Sequence, residues 1–165
     1  MIELSLDRDA LEDISKDLEA TPREVKRAIH LALNEVGRAM KSRAAKELSK
    51  ETGVKRAALK SRLLSFNRQV DGAEQTKIWV GAYRIPGHKA GARKTSGGVI
   101  VAGSKIPGGY IRNGRVYRRI KGKQTGVKVD ISDHVLVVLD SDVVPLFESR
   151  FVPAFERKLR WLRSK

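Results

Sequence analysis

The chain contains no cysteine, which removes disulfide frameworks, thiolate metal sites and thiol nucleophiles together. That absence fits a reducing compartment. Aromatic residues make up 5% of the chain, which argues against an extensive base-stacking surface. No apolar run approaches the ~18 residues that a membrane span needs. The opening, Met1–Asp13, is acidic and lacks the basic and apolar regions of a secretory leader. The expectation is a protein that stays in the cell that makes it unless it leaves inside something larger. One further absence is local. Between Gln75 and Val129 there is no Asp or Glu, although those 55 residues carry 13 Lys or Arg.

What is present follows from that gap. The formal net charge is +15 over 165 residues, and the 110 residues outside the gap hold 21 cations against 19 acids. Nearly all the excess therefore lies in one third of the chain. A field of one sign attracts nucleic acid or an acidic protein face and raises encounter rates. Eleven of the 14 glycines fall between Gly81 and Gly126, a density that favours turns and close backbone approaches over regular packing.

The patterning predicts an α+β chain, a mainly antiparallel sheet covered by a long N-terminal helix and a C-terminal helix, with a glycine-rich basic arm or hairpin. Residues 2–6 alternate as a short strand does, and Asp7 or Asp9 can cap a helix over 8–19. Thr21-Pro22-Arg23-Glu24 has the form of a capping box with proline in the first turn. The helix it opens carries Val25, Ile29, Ala32, Val36, Met40, Ala44 and Leu48 at spacings of three and four, and Gly53 is its expected stop. A short basic helix over 54–64 follows. Ser65–Val70 and Thr76–Ile85 read as strands joined at Asp71-Gly72, and GGVIVAG and RVYRRI as hairpin strands. Val135–Leu139, a continuous apolar run, reads as an interior strand. Val143–Arg163 is expected to be helical, with Phe147, Phe151, Phe155, Leu159 and Leu162 on one face and Pro153 as a kink or restart. The whole is read as one domain, 1–165. Residues 1–64 form its helical region, residues 65–140 its β region with the basic arm at 84–128, and residues 141–165 a C-terminal helix. The arm is expected to become ordered against a neighbour and to be mobile in the free chain.

Catalytic patterns are sparse. His30, His88 and His134 are scattered and lack zinc-ligand spacing, and neither a metal nor a cofactor is expected. Gly87–Thr95, GHKAGARKT, imitates a phosphate loop, but Arg93 stands where that motif needs glycine before the lysine. The reading is of a protein that is not an enzyme and has no small-molecule substrate.

Three blocks taken together are similar to the minor tail protein Z family of long-tailed bacteriophages and prophages, the tail completion proteins. They are the long N-terminal helix leading into KETGVKRAALKSRL at Lys50–Leu63, the strand TKIWVGA at Thr76–Ala82, and GGVIVAGSKIPGGYIRNGRVYRRIKGK at Gly97–Lys123. The resemblance implies a structural virion protein that completes the tail at its head-proximal end. It also implies self-assembly, as a ring that would be hexameric, and contacts with tail tube, tail terminator or neck proteins and with the phage DNA end. Its implied location is the virion tail, after assembly in the host cytoplasm.

The residues that would make subunit or DNA contacts are those of the basic arm: Lys89, Arg93, Lys94, Lys105, Arg112, Arg115, Arg118, Arg119, Lys121 and Lys123. Alternate side chains on a strand share a face, so Arg118 and Arg119 are expected to point in opposite directions. The competing reading is a free-standing nucleic-acid-binding protein in which Arg112, Arg115, Arg118, Arg119, Lys121 and Lys123 meet phosphates and Tyr110 or Tyr117 stacks on bases. A third is an assembly factor that never enters the particle.

Overall fold

Glycine, proline and the capping residues punctuate the chain where the backbone turns. The computed structural model of the protein describes residues 2–4, 8–70 and 73–165; the expected cap Asp7 and the turn Asp71-Gly72 lie outside them. The architecture is α+β, and the chain divides into two compact units.

The first unit comprises residues 1–43, 64–79 and 139–165. Its long helix, α2 (Pro22–Thr52), begins at the capping box. The Thr21 amide donates to Glu24 Oε2 at 2.8 Å and the Glu24 amide donates to Thr21 Oγ1 at 3.4 Å. The Thr21 hydroxyl and amide together hold the Glu24 carboxyl below its ordinary pKa. Within this unit Ala32, Val36 and Met40 of the expected stripe are buried, and Ala28 and Leu33 widen it; Val25 and Ile29 are half-buried. The sheet of the unit has the order β1 (Ile2–Leu4), β3 (Ala73–Val80), β2 (Leu63–Val70). β1 runs antiparallel to β3, with Ile2 opposite Ile78. Gly37 of α2 faces Ser65 of β2, the place of its absent Cβ 3.6 Å from the serine side chain.

Helix α1 (Arg8–Asp17) packs on α6 (Val144–Arg163). Phe147, Phe151, Phe155 and Leu159 of α6 are buried, as their spacing requires, and Phe147 stacks on Phe151 at 5.3 Å. Pro153 is accommodated inside the helix. Arg157 and Lys158 of α6 both pair with Glu35 of α2, the lysine at 2.8 Å. Lys158 is the main reason the Glu35 carboxyl titrates below its usual range.

The second unit comprises residues 44–63 and 80–138. Two three-stranded antiparallel meanders form most of it. One is β5 (Arg93–Thr95), β6 (Gly98–Val101) and β7 (Ser104–Pro107); the other is β8 (Tyr110–Arg112), β9 (Arg115–Ile120) and β10 (Lys123–Gly126). The short strands β4 (Ile85–Pro86) and β11 (Lys128–Val129) pair beside them. Three of the hairpin turns are two-residue loops with left-handed φ at both positions: Ala102-Gly103, Asn113-Gly114 and Lys121-Gly122. Such turns match the twist of the flanking strands, so neighbouring strands can pair at once.

Helices supply the floor. Gly87 begins the short helix α4 (Gly87–Ala90) and donates its amide to Val127 O at 2.8 Å, while Val127 donates to Val116 O at 2.9 Å. A Cβ on Gly87 would lie 3.3 Å from Val116 and 3.4 Å from Val101, so the two meanders meet there. Val99, Val101, Val116, Ile131 and Ala90 of this unit are buried. The end of α2 docks on the same unit: Gly53 has φ +67, and a Cβ there would approach Ala102 O to 2.4 Å. Helix α3 (Arg56–Lys60) follows, within the expected 54–64 span.

Two expectations are corrected. Val135–Leu139 is not an interior strand; it lies in helix α5 (Ser132–Val138) and the π-helical turn Leu139–Val143 that leads into α6. Val135, Val138 and Leu139 are buried, whereas Leu136 and Val137 are 62% and 64% exposed, which is helical spacing rather than alternation. The basic segment 84–128 is also not an arm waiting for a neighbour to give it structure. Its strands pair with one another, and its apolar residues reach a core within the chain.

Candidate functional site

The ten cations of the expected contact set are all exposed. Lys89 lies on α4, Arg93 and Lys94 on β5, Lys105 on β7, Arg112 on β8, Arg115, Arg118 and Arg119 on β9, Lys121 in the turn after it and Lys123 on β10. Among the described residues none of the ten forms an ion pair with a carboxylate. At the border of the acid-free segment Arg84 donates to Asp130 at 3.2 Å. That carboxylate is committed locally. It accepts from the Ser132 hydroxyl at 2.6 Å and the Ser132 amide at 3.1 Å, and these bonds with Arg84 lower its pKa to about 2.

The strand register sorts the cations. In the β10–β9–β8 meander, Tyr110 stands opposite Tyr117, Arg112 opposite Arg115, Gln124 opposite Arg119 and Gly126 opposite Tyr117. Directly opposed residues and alternate residues of one strand share a face. One face is therefore Tyr110, Arg112, Arg115, Tyr117, Arg119, Gln124 and Gly126. The other is Ile111, Val116, Arg118, Ile120, Lys123 and Thr125. The first has no aliphatic side chain; the second has three, with Val116 buried and Ile111 and Ile120 about two-fifths exposed at 42% and 41%. Arg118 and Arg119 point oppositely, as alternation requires, and Arg115 and Arg118 also lie on different faces.

On the first face the two tyrosine rings lie 6.0 Å apart, inclined by 30°. Arg112 and Arg115 flank them toward the Asn113-Gly114 turn, and Arg119 on the other side. Nothing lies within 4 Å of the place a Gly126 Cβ would occupy, so no group fills the β10 position opposite Tyr117, whereas Tyr110 stands opposite it on β8. Gln124 and Gly126 belong to this face only through the β9–β10 register, which Lys121-Gly122 sets; reading that dipeptide as a turn would have found them.

The first meander carries a smaller basic row. Arg93, Ile100 and Lys105 are cross-strand neighbours, on the face opposite to buried Val99. Lys94-Thr95, the phosphate-loop look-alike, lies in β5 and runs into a turn and β6. It lacks the following helix whose N-terminus such a loop needs.

One buried charge was not anticipated. Arg62 is 8% exposed; its guanidinium donates to Tyr83 O at 2.6 Å and Gly81 O at 3.3 Å and lies 3.8 Å from the centre of the Tyr83 ring. It fastens the chain after α3 to the loop before β4. Among the described residues no group of three or more His, Asp or Glu is placed to hold a metal, and no helix is long and apolar enough to cross a membrane. No protein-family model, no curated protein and no solved structure matches this chain.

Proposed function

We propose that this chain is a non-catalytic structural protein whose basic unit docks on a partner outside its own subunit, and that it is a tail completion protein of a long-tailed phage or prophage. The observation that carries the docking reading is that the ten cations of the expected contact set are exposed and, among the described residues, form no ion pair with a carboxylate of the same chain. Unscreened like charges repel one another in the free subunit, and an external polyanion or acidic surface relieves that repulsion. The phage assignment rests on the three-block resemblance. In that setting the chain repeats around the tail axis as a closed ring, so each charge is repeated by symmetry. Its neighbours are tail and neck proteins, and its place is the head-proximal end of the tail.

Deleting the reading frame and examining the particles tests this. The reading predicts heads and tails that fail to join into infectious particles, and mass spectrometry of wild-type particles that detects the chain. Normal infectious particles after deletion would overturn it. Detection of an effect on joining without the chain in the particle would assign it instead to assembly in the infected cell.

The free-standing nucleic-acid-binding protein is the second reading, favoured by the tyrosine–arginine face. It predicts binding with a steep salt dependence and no role in particle assembly.

A further inference from the structure

We infer that one face of the β8–β9–β10 meander, formed by Tyr110, Arg112, Arg115, Tyr117 and Arg119, is a binding site for single-stranded nucleic acid. The inference rests on the proposal that the basic unit is neutralised from outside, and it names the chemistry of that partner for one face.

Along β9 the residues Arg115, Tyr117 and Arg119 alternate cation, ring, cation on one side, in steps of about 6.8 Å for two residues of antiparallel strand. Proteins that hold single strands combine a positive track for the phosphates with aromatic platforms for the bases. This face supplies both and adds the donors and acceptor of the exposed Gln124 amide. It offers no aliphatic side chain to a protein core.

The second observation is the unfilled position on β10 opposite Tyr117. Its cross-strand neighbour is Gly126, which has nothing near its missing side chain and whose φ is not in the left-handed region. The backbone there does not require glycine. What the glycine leaves is a shelf beside a half-buried ring, open to a planar base. The opposite face differs: it exposes Ile111 and Ile120 among Arg118 and Lys123.

Fluorescence polarisation of the full chain with labelled single-stranded and duplex oligonucleotides of mixed sequence, titrated with salt, tests the assignment. The triple variant Arg112→Gln, Arg115→Gln, Arg119→Gln is compared with the charge-matched Arg118→Gln, Lys121→Gln, Lys123→Gln. Loss of three phosphate contacts from the first should reduce the slope of log affinity against log salt by about 2, since each contact to a single strand contributes ~0.7. The second should retain most of the slope. Gly126→Val, which changes no charge and strains no backbone, should weaken single-strand binding by about tenfold, of the order expected for losing one stacked base, with an unchanged melting temperature. Equal loss in both triple variants, or unaltered binding by Gly126→Val, would mean diffuse attraction to net charge and would overturn the site. Tighter binding to duplex than to single strands would overturn the base-stacking assignment. Absence of any binding at low salt would overturn it too and leave an acidic protein as the partner of the face, with the docking proposal intact.

Discussion

At Gly53 the backbone turns left-handed with a carbonyl pressed against the missing side chain, while Gly114 has the same backbone with nothing near it. The pair separates two costs of a methyl group. Gly114→Ala should cost only the conformational strain, about 1 kcal/mol. Gly53→Ala adds a collision with Ala102 O and should cost at least about 2 kcal/mol more; urea unfolding of both variants measures the difference. Arg62 makes a similar contrast. Arg62→Ala leaves two carbonyls without this donor and uncovers Tyr83, a loss of about 2–4 kcal/mol. Arg62→Lys keeps the charge but not the planar fork, and should recover only a fraction of it in the same measurement. Asp130 gives a pH signature. Its folded pKa of about 2 lies below the ordinary value of about 3.9. Its contribution is therefore complete above pH ~4 and is lost as pH falls through about 2. Melting temperature should decline more steeply over that interval in the wild type than in Asp130→Asn; identical profiles would show that the carboxylate has no such role.

Among the elements, periodicity made α2 and α6 legible and the run 135–139 misleading. About nine turns of α2 repeat the same spacing, so no strand pattern competes. Five consecutive apolar residues fit a buried strand and a helix equally, and periodicity cannot choose. The signal that decides lies outside the run: Asp130 bonds the Ser132 amide and hydroxyl and so prepares a helix start. The consequence is testable. Val135→Ala should cost about 2 kcal/mol from lost burial. Val137→Ala should change stability by less than about 0.5 kcal/mol. A strand with Val135 and Val137 on one face would make the two alike. The hairpins were legible from glycine and β-branched residues, but their grouping into two meanders was not. The two meanders meet at Gly87, where Val101 and Val116 converge, and that meeting is nonlocal. For the candidate site, the cations were read directly from sequence and their division between faces only by alternation along β9. Gln124 and Gly126 needed the register.

For the chain as a whole, the excess positive charge is concentrated in one third of the sequence. An acid-free third could have folded against the 19 acids elsewhere. Instead, the ion pairs seen for Arg43, Lys158, Arg157 and Arg160 lie in the first unit. Among the described residues the exposed cations of the meanders have none. The preformed strands mean that a partner meets an ordered surface, so association need not bear the full entropy of folding an arm. The account's central claim is that these charges are not satisfied within their own subunit. Its most direct test is the melting temperature, at low salt, of the isolated chain carrying Arg112→Glu, Arg115→Glu and Arg119→Glu. The account predicts a value equal to or above that of the wild type, because like-charge repulsion is reduced and no internal pair is broken. A fall of about 2–4 °C or more, the shift that a loss of about 1 kcal/mol produces at this size, would contradict it.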